Sequence, residues 1–135
     1  MTGEGSKIYG GRWNEIGVPC IYACETRALC VLEYAANVDR DHMPIDLSFT
    51  IYELPDMAAK HFSIDDLPAN WTHLPPTAAT QAWGTVQLRD QLALRLPSVI
   101  LPTEFNYVIN PQHPDFKKVT IKAVEPFTFD PRIKH

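Results

Sequence analysis

The chain has 135 residues, 45% of them hydrophobic and 21% charged, enough for one domain to bury a real core. A net charge of -4 argues against a general grip on nucleic acid, because a phosphate backbone rewards a basic face, yet it leaves room for a small anion held by one or two arginines. No run approaches the ~20 apolar residues that cross a bilayer, and the start "MTGEGSKIYGG" lacks the apolar core of a signal peptide, so a cytoplasmic protein with no membrane partner is expected.

In chain order, residues 1 to 17 read as a loop rich in glycine and polar residues. "PCIYAC" (19–24) is a short extended run whose alternation puts Cys20, Tyr22 and Cys24 on one face and Ile21 and Ala23 on the other. A helix fits 26–37, with Ala28, Leu29, Val31, Leu32, Ala35 and Ala36 on one broad arc and Thr26 or Glu25 as its cap. "LSFTIYEL" (47–54) has the β-branched and aromatic content of a strand, ended by Pro55. Residues 56–77 read as loop with a helical turn at 56–61. "TAATQAWGTVQL" (77–88) fits a second helix, although Gly84 within it costs about 1 kcal/mol against alanine.

Asp90 and Gln91 then turn the chain into "LALRL", where Leu92, Leu94 and Leu96 alternate as one strand face. "SVILP" (98–102) is another extended apolar run, and "FNYVIN" (105–110) is either its continuation or irregular. "KVTIKAVEPFTF" (118–129) has a clean period of two, with Val119, Ile121 and Ala123 on the inner face. Twelve prolines cluster at 67–76 and 111–131 and mark loops and strand ends. Strands outnumber helices without alternating with them in regular units, and no repeat or linker divides the chain. The fold class is therefore α+β, a single compact domain with mixed or antiparallel sheets and a few helices.

Few residues point to chemistry on their own. Cys20, Cys24 and Cys30 are an odd set whose spacing, even with His42, fits no zinc pattern, so no metal is expected and buried reduced thiols are. No adjacent histidine would activate a cysteine nucleophile. Arg12 follows Gly10-Gly11, where the backbone can approach a ligand closely; it is either a surface arginine after a turn or a fork for phosphate oxygens. Tyr22 is either core or a ring that stacks on a flat ligand. Glu33 lies about 40° past Leu29 on the helical wheel, at the border of the apolar arc, so its carboxylate either keeps its tip in water or reaches into a cleft and needs a partner. Ser98 sits in no G-x-S-x-G elbow and is not read as a nucleophile. His113 has no acidic neighbour in sequence to orient it as a base.

The combination is more specific. "YGGRWNEIGVPCIYACETRALCVLE", followed by "LPSVILPTEFNYVINPQHPDF" and "PFTFDPR", resembles the RES domain over nearly the whole chain, 1–135. The family takes its name from an arginine, a glutamate and a serine, which fall by motif position on Arg12, Glu33 and Ser98, with Tyr22 as the accompanying tyrosine. The resemblance implies a bacterial toxin of a toxin–antitoxin pair, a fold similar to ADP-ribosyltransferase toxins, and NAD as substrate with no further cofactor. It implies a cognate antitoxin carrying an Xre-type DNA-binding region, so that DNA is reached only through that partner. Arg12, Tyr22 and Glu33 are the expected catalytic residues. Arg12, Tyr22, Ser98, Asn106 and Asn110 are the expected substrate-binding residues.

The expected activity is cleavage of the nicotinamide–ribose bond by phosphorolysis or hydrolysis. The alternatives are ADP-ribosylation of a protein, or a catalytically idle module that binds a nucleotide or the antitoxin. Two departures from the family pattern stand out. Its usual first strand, often with a Tyr-Arg pair, is expected to be missing before "GEGSKIYGGRWN", and Thr26 replaces its usual serine, a substitution that keeps a capping hydroxyl.

Overall fold

The computed structural model describes residues 10–42, 44 and 46–134. The expected loop before Gly10 and the matter of a first strand lie outside the described residues. Strand β1 (Ile21–Cys24) leads into helix α1 (Arg27–Asn37), strand β2 (Asp46–Glu53) and the short strand β3 (Ala59–His61). Helix α2 (Ala78–Arg89) follows, then β4 (Ala93–Pro97), β5 (Phe105–Ile109) and β6 (Thr120–Thr128). The main sheet has the order β1-β5-β4-β3, antiparallel except for the parallel β3/β4 pair, and β2 pairs with β6 in a separate two-stranded ribbon. The architecture is α+β.

Both helices begin where the side-chain chemistry places their caps. Thr26 Oγ1 accepts from Leu29 N at 3.1 Å and Thr77 Oγ1 from Thr80 N at 3.1 Å, which satisfies N–H groups that a helix start leaves without partners. The C-terminal end of α1 is held from far along the chain: Lys134 Nζ donates to the carbonyls of Ala35 and Val38, both at 2.6 Å. A cation there also meets the negative end of the helix dipole.

β4 is central and buried along both faces except at Arg95, which is half-buried and pairs with Glu25. On one face Leu94 and Leu96 join Val108, Cys20, Trp13, Phe62, Trp71 and Leu88 in the larger core, roofed by α2. On the other, Ala93 joins Ile21 and Ile109 in a smaller cluster with Tyr52, Leu54, Phe116 and Val119. The expected alternation of Cys20 and Ile21 thus separates them into two cores. Each fully buried aliphatic side chain contributes about 1.5–3 kcal/mol, which makes β4 and β5 the stable centre.

Four sequence expectations give way. Residues 59–61 form β3 and not a helical turn, because the backbone of Ala59–His61 finds partners in Ala93–Arg95. "SVILP" is not extended: Ser98 N donates to Glu104 O and Glu104 N to Leu101 O, folding the β4–β5 connection into a tight turn. Ile121 is 56% exposed, because the β2/β6 register slips between Ile51 and Tyr52 and upsets the two-residue period. On α1, Ala28, Leu32 and Ala36 face outward while Cys30, Glu33 and Tyr34 are half-buried, so the protein-facing side is less apolar than the arc suggests.

Gly84 explains its own presence in α2. A Cβ there would lie 2.1 Å from the Trp13 carbonyl oxygen, so the helix and the Gly10–Asn14 turn are in backbone contact. Propensity alone would have Gly84→Ala stabilise the helix by about 1 kcal/mol. Overpacking against an immobile carbonyl typically costs more, so a net loss of about 1–3 kcal/mol is expected in urea unfolding. A variant as stable as the parent would show that the contact is not tight.

Candidate active site

The Gly10–Asn14 turn is built around one phenol. Gly11 N donates to Asn14 O at 3.2 Å and closes the turn. Within it, Trp13 N donates to Tyr22 Oη at 3.1 Å, and Tyr22 Oη donates to Asn14 Oδ1 at 2.5 Å. Asn14 is fully buried, and its Nδ2 donates to Val18 O at 2.9 Å. Gly11 is small of necessity, since a Cβ there would sit 2.5 Å from the Tyr22 hydroxyl. Tyr22 is 39% exposed overall, but its hydroxyl end is enclosed by these contacts, so the open surface belongs to the ring. Burial raises the phenol far above its ordinary pKa, with the nearby Cys20 thiol adding to the shift, so Tyr22 acts as a neutral ring and donor.

Arg12 projects from the same turn. Its Nη1 donates to the carbonyls of Trp71 at 2.6 Å and His73 at 2.9 Å, which ties the turn to the 71–76 loop. Burial depresses the guanidinium below its ordinary pKa, and the charge of Glu33 opposes that shift. No ion pair joins the two among the described residues, so Glu33 acts on Arg12 across a gap and not by contact.

Glu33, on α1, has the partners that its half-buried position demands. Its Oε1 accepts from Ser98 Oγ at 2.8 Å and from Asn106 Nδ2 at 2.8 Å, while Oε2 has only a long contact of 3.5 Å with Asn37 Nδ2. Ser98 is fully buried, and its Oγ accepts from the backbone N–H groups of Ile100 at 3.1 Å and Leu101 at 3.3 Å. Those two donors turn its own proton toward Glu33. One carboxylate oxygen is thereby anchored from the β4–β5 turn and from β5, while the other has only the long contact with Asn37.

Arg12, Tyr22, Glu33 and Asn106 line one cleft of about 730 Å³, within the size range of small-molecule sites, together with Cys24, Cys30, Leu74 and Ile100. Ser98 lies behind it and reaches it through Glu33. Asn110 is not brought to the cleft: its Nδ2 donates to Leu88 O at 3.0 Å and its Oδ1 accepts from Gln112 N at 2.9 Å, just beyond the end of β5 opposite Asn106. His113 is likewise occupied, accepting from Asp115 N at 3.0 Å as a turn cap. Sequence reasoning missed Asn14 and the carbonyls of Trp71 and His73. Asn14 sits beside Arg12 in "GGRWN", but its aim at Tyr22 depends on the turn's closure. Among the described residues there is no group of three His, Cys, Asp or Glu side chains that could hold a metal, and no helix long and apolar enough to cross a membrane.

Ser98→Ala removes both the anchor of Glu33 and the acceptor for two turn amides. Each buried donor left without a partner costs about 1–3 kcal/mol, so a loss of at least ~1 kcal/mol in chemical denaturation is expected, and Ser98→Thr should recover part of it. An unchanged midpoint for the alanine variant would show that water replaces the hydroxyl.

Comparison with known proteins identifies the family of the chain. The RES domain family model matches residues 1–130. The chain is 36% identical to a Prs ADP-ribosylating toxin of Sphingobium sp. (strain YBL2), over 98% of this chain and 86% of that protein. It is 33% identical to a Toxin Res of Photorhabdus laumondii, over 98% and 86% of the two chains. It is 34% identical to a Toxin Res of Yersinia enterocolitica, over 98% and 90%. A family match over almost the whole length, with named toxins as relatives at this level of identity, means that the chain belongs to the RES domain family.

Proposed function

We propose that the cleft binds NAD and breaks its nicotinamide–ribose bond, and that the protein acts as a toxin by removing NAD. The observation that carries this reading is that Arg12, Tyr22 and Glu33, from three separate segments, line one cleft, with a single oxygen of Glu33 anchored from behind. Cleavage passes through an oxocarbenium-like ribose, with positive charge on C1 and the ring oxygen. The carboxylate of Glu33 places negative charge beside that cation or holds a ribose hydroxyl. Its bonds to Ser98 and Asn106 keep it in place, so little reorganisation is needed as the charge develops.

Tyr22 offers its exposed ring to a flat group of the dinucleotide. Arg12 uses Nη1 on the loop carbonyls and offers its other N–H groups to the diphosphate. Nicotinamide leaves as a neutral molecule, so no side chain has to protonate it. This accords with a cleft that has no histidine among its described lining residues.

The acceptor of the ADP-ribose separates two outcomes of one first step. Water or phosphate gives NAD depletion. A protein side chain gives ADP-ribosylation, the reading supported by the name of the Sphingobium relative. A cognate antitoxin with an Xre-type DNA-binding region is the proposed partner. The exposed apolar side chains of Leu74 and Ile100 at the cleft are suited to being covered by a protein. The deciding experiment mixes the protein with NAD, with and without phosphate, and measures free nicotinamide, while labelled NAD reports ADP-ribose on any macromolecule. No nicotinamide under any of these conditions would leave a binding module without chemistry.

Glu33→Gln keeps the acceptor for Ser98 and Asn106 but removes the charge. Nicotinamide release should slow by about 10²–10³, with NAD affinity within about threefold of the parent. Equal losses in binding and turnover would refute a role specific to the transition state. Arg12→Lys loses the planar fork that holds the loop carbonyls on one nitrogen and offers two parallel N–H groups to a diphosphate, so NAD affinity should fall by about tenfold or more; unchanged affinity would remove Arg12 from the phosphate site.

A further inference from the structure

The cleft has polar side chains that the proposed chemistry leaves out, and most of them are spent on the protein itself. Tyr34 Oη donates to Pro44 O at 2.6 Å, and Asn106 turns its Nδ2 to the anchored oxygen of Glu33. Cys24 and Cys30 offer free thiols, which are weak donors. The expectation of buried cysteines holds for Cys20, at 1% exposed, and not for these two, which are half-buried. Asn37 is the exception. It lines the cleft, it is exposed, and it stands four residues after Glu33, about 40° round the same face of α1.

The orientation of its amide is fixed by its neighbours. Asn37 Nδ2 donates to the main-chain carbonyl of Glu33 at 2.8 Å and lies 3.5 Å from Glu33 Oε2. Both of these are acceptors, so the reverse orientation would set oxygen against oxygen, and the nitrogen is the atom on that side. One N–H is spent on the carbonyl. The other meets Oε2 only at the outer limit of a hydrogen bond, so it is under-used. Oδ1 has no partner among the described residues.

Glu33 and Asn37 thus set three polar atoms side by side: a charged acceptor at Oε2, a donor at Nδ2 and a neutral acceptor at Oδ1. A cis-diol matches that row. One hydroxyl can donate to Oε2 and accept from the second N–H of Nδ2, while its neighbour donates to Oδ1. A lone hydroxyl would leave Oδ1 unused, and a carboxylate or phosphate would meet two acceptors, one of them charged.

We propose that Asn37 is a substrate-binding residue which, with Oε2 of Glu33, clamps the two hydroxyls of the nicotinamide ribose. The assignment rests on the NAD reading and deepens it. The nicotinamide ribose is the one meant, because Glu33 is the group set beside the breaking bond. One turn of α1 then supplies both the charge for the developing cation and the selection of an intact ribose.

The test compares Asn37→Ala with the parent on NAD and on two analogues, one lacking the 2′-hydroxyl and one the 3′-hydroxyl of the nicotinamide ribose. Nicotinamide release is measured, and affinity takes the place of kcat/KM for an analogue that is not cleaved. With NAD, the variant should lose about tenfold in kcat/KM. With at least one analogue, variant and parent should agree within about twofold, because the hydroxyl that Asn37 holds is already gone. A residue that only caps α1 behaves otherwise: its loss lowers all three substrates by one factor. Equal losses on all three, or no loss on any, would overturn the clamp. Asn37→Asp exchanges the donor for a second carboxylate beside Oε2 and should lose at least as much on NAD as alanine does; full activity in that variant would also overturn it. A parent that neither binds NAD nor releases nicotinamide sinks the NAD reading and the clamp together, whereas an active parent without a hydroxyl-dependent loss in the variants sinks the clamp alone.

Discussion

The anchored carboxylate of Glu33 is the constraint that most of the structure serves. A half-buried charge is costly without donors, and here two come to a single oxygen from different segments. To supply them, α1 lies across the end of the main sheet, the β4–β5 connection folds back on Ser98, and β5 brings Asn106 to the same point. Ser98 reaches Glu33 only because two turn amides occupy its lone pairs. The asymmetry that results, one oxygen fixed and the other with only a long contact, is the site's main electrostatic feature.

The opposite wall is set by geometry more than charge. Gly84 lets α2 meet the backbone of Trp13, and Gly11 lets the Tyr22 hydroxyl enter the turn that carries Arg12. Two missing side chains thus fix where a guanidinium and a phenol stand. Trp13 completes this wall by packing against Trp71 at 6.3 Å and Trp83 at 5.5 Å between ring centres, so the turn rests on the larger core.

Much of this was legible in the sequence where local rules apply. The cap at Thr26, both helices and the strand at 47–54 follow from capping chemistry and period, because those signals act within a few residues. What escaped depends on distant partners. Ala59–His61 is a strand only because β4 offers it an edge, and "SVILP" bends because the Ser98 hydroxyl captures amides that an extended run would have left outward. Ile121 is exposed by a register slip that its own alternation cannot reveal. Arg12, Tyr22 and Glu33, which line the cleft, stand out in the sequence through ordered motifs and the border position of Glu33. The different positions of Asn106 and Asn110 were not, since both asparagines stand in one apolar run and only the sheet's direction tells which end meets α1.

The clamp on α1 has a temporal side. The last carbonyls of the helix that bears Glu33 are bound by Lys134, 99 and 96 positions downstream, and the first residue of that helix, Arg27, meets Glu125 across 98. During synthesis the helix leaves the ribosome long before either partner exists. A nascent chain therefore carries Arg12, Tyr22 and Glu33 before it can hold α1 at either end, and the seat of Glu33 is tied down only when translation has passed Lys134.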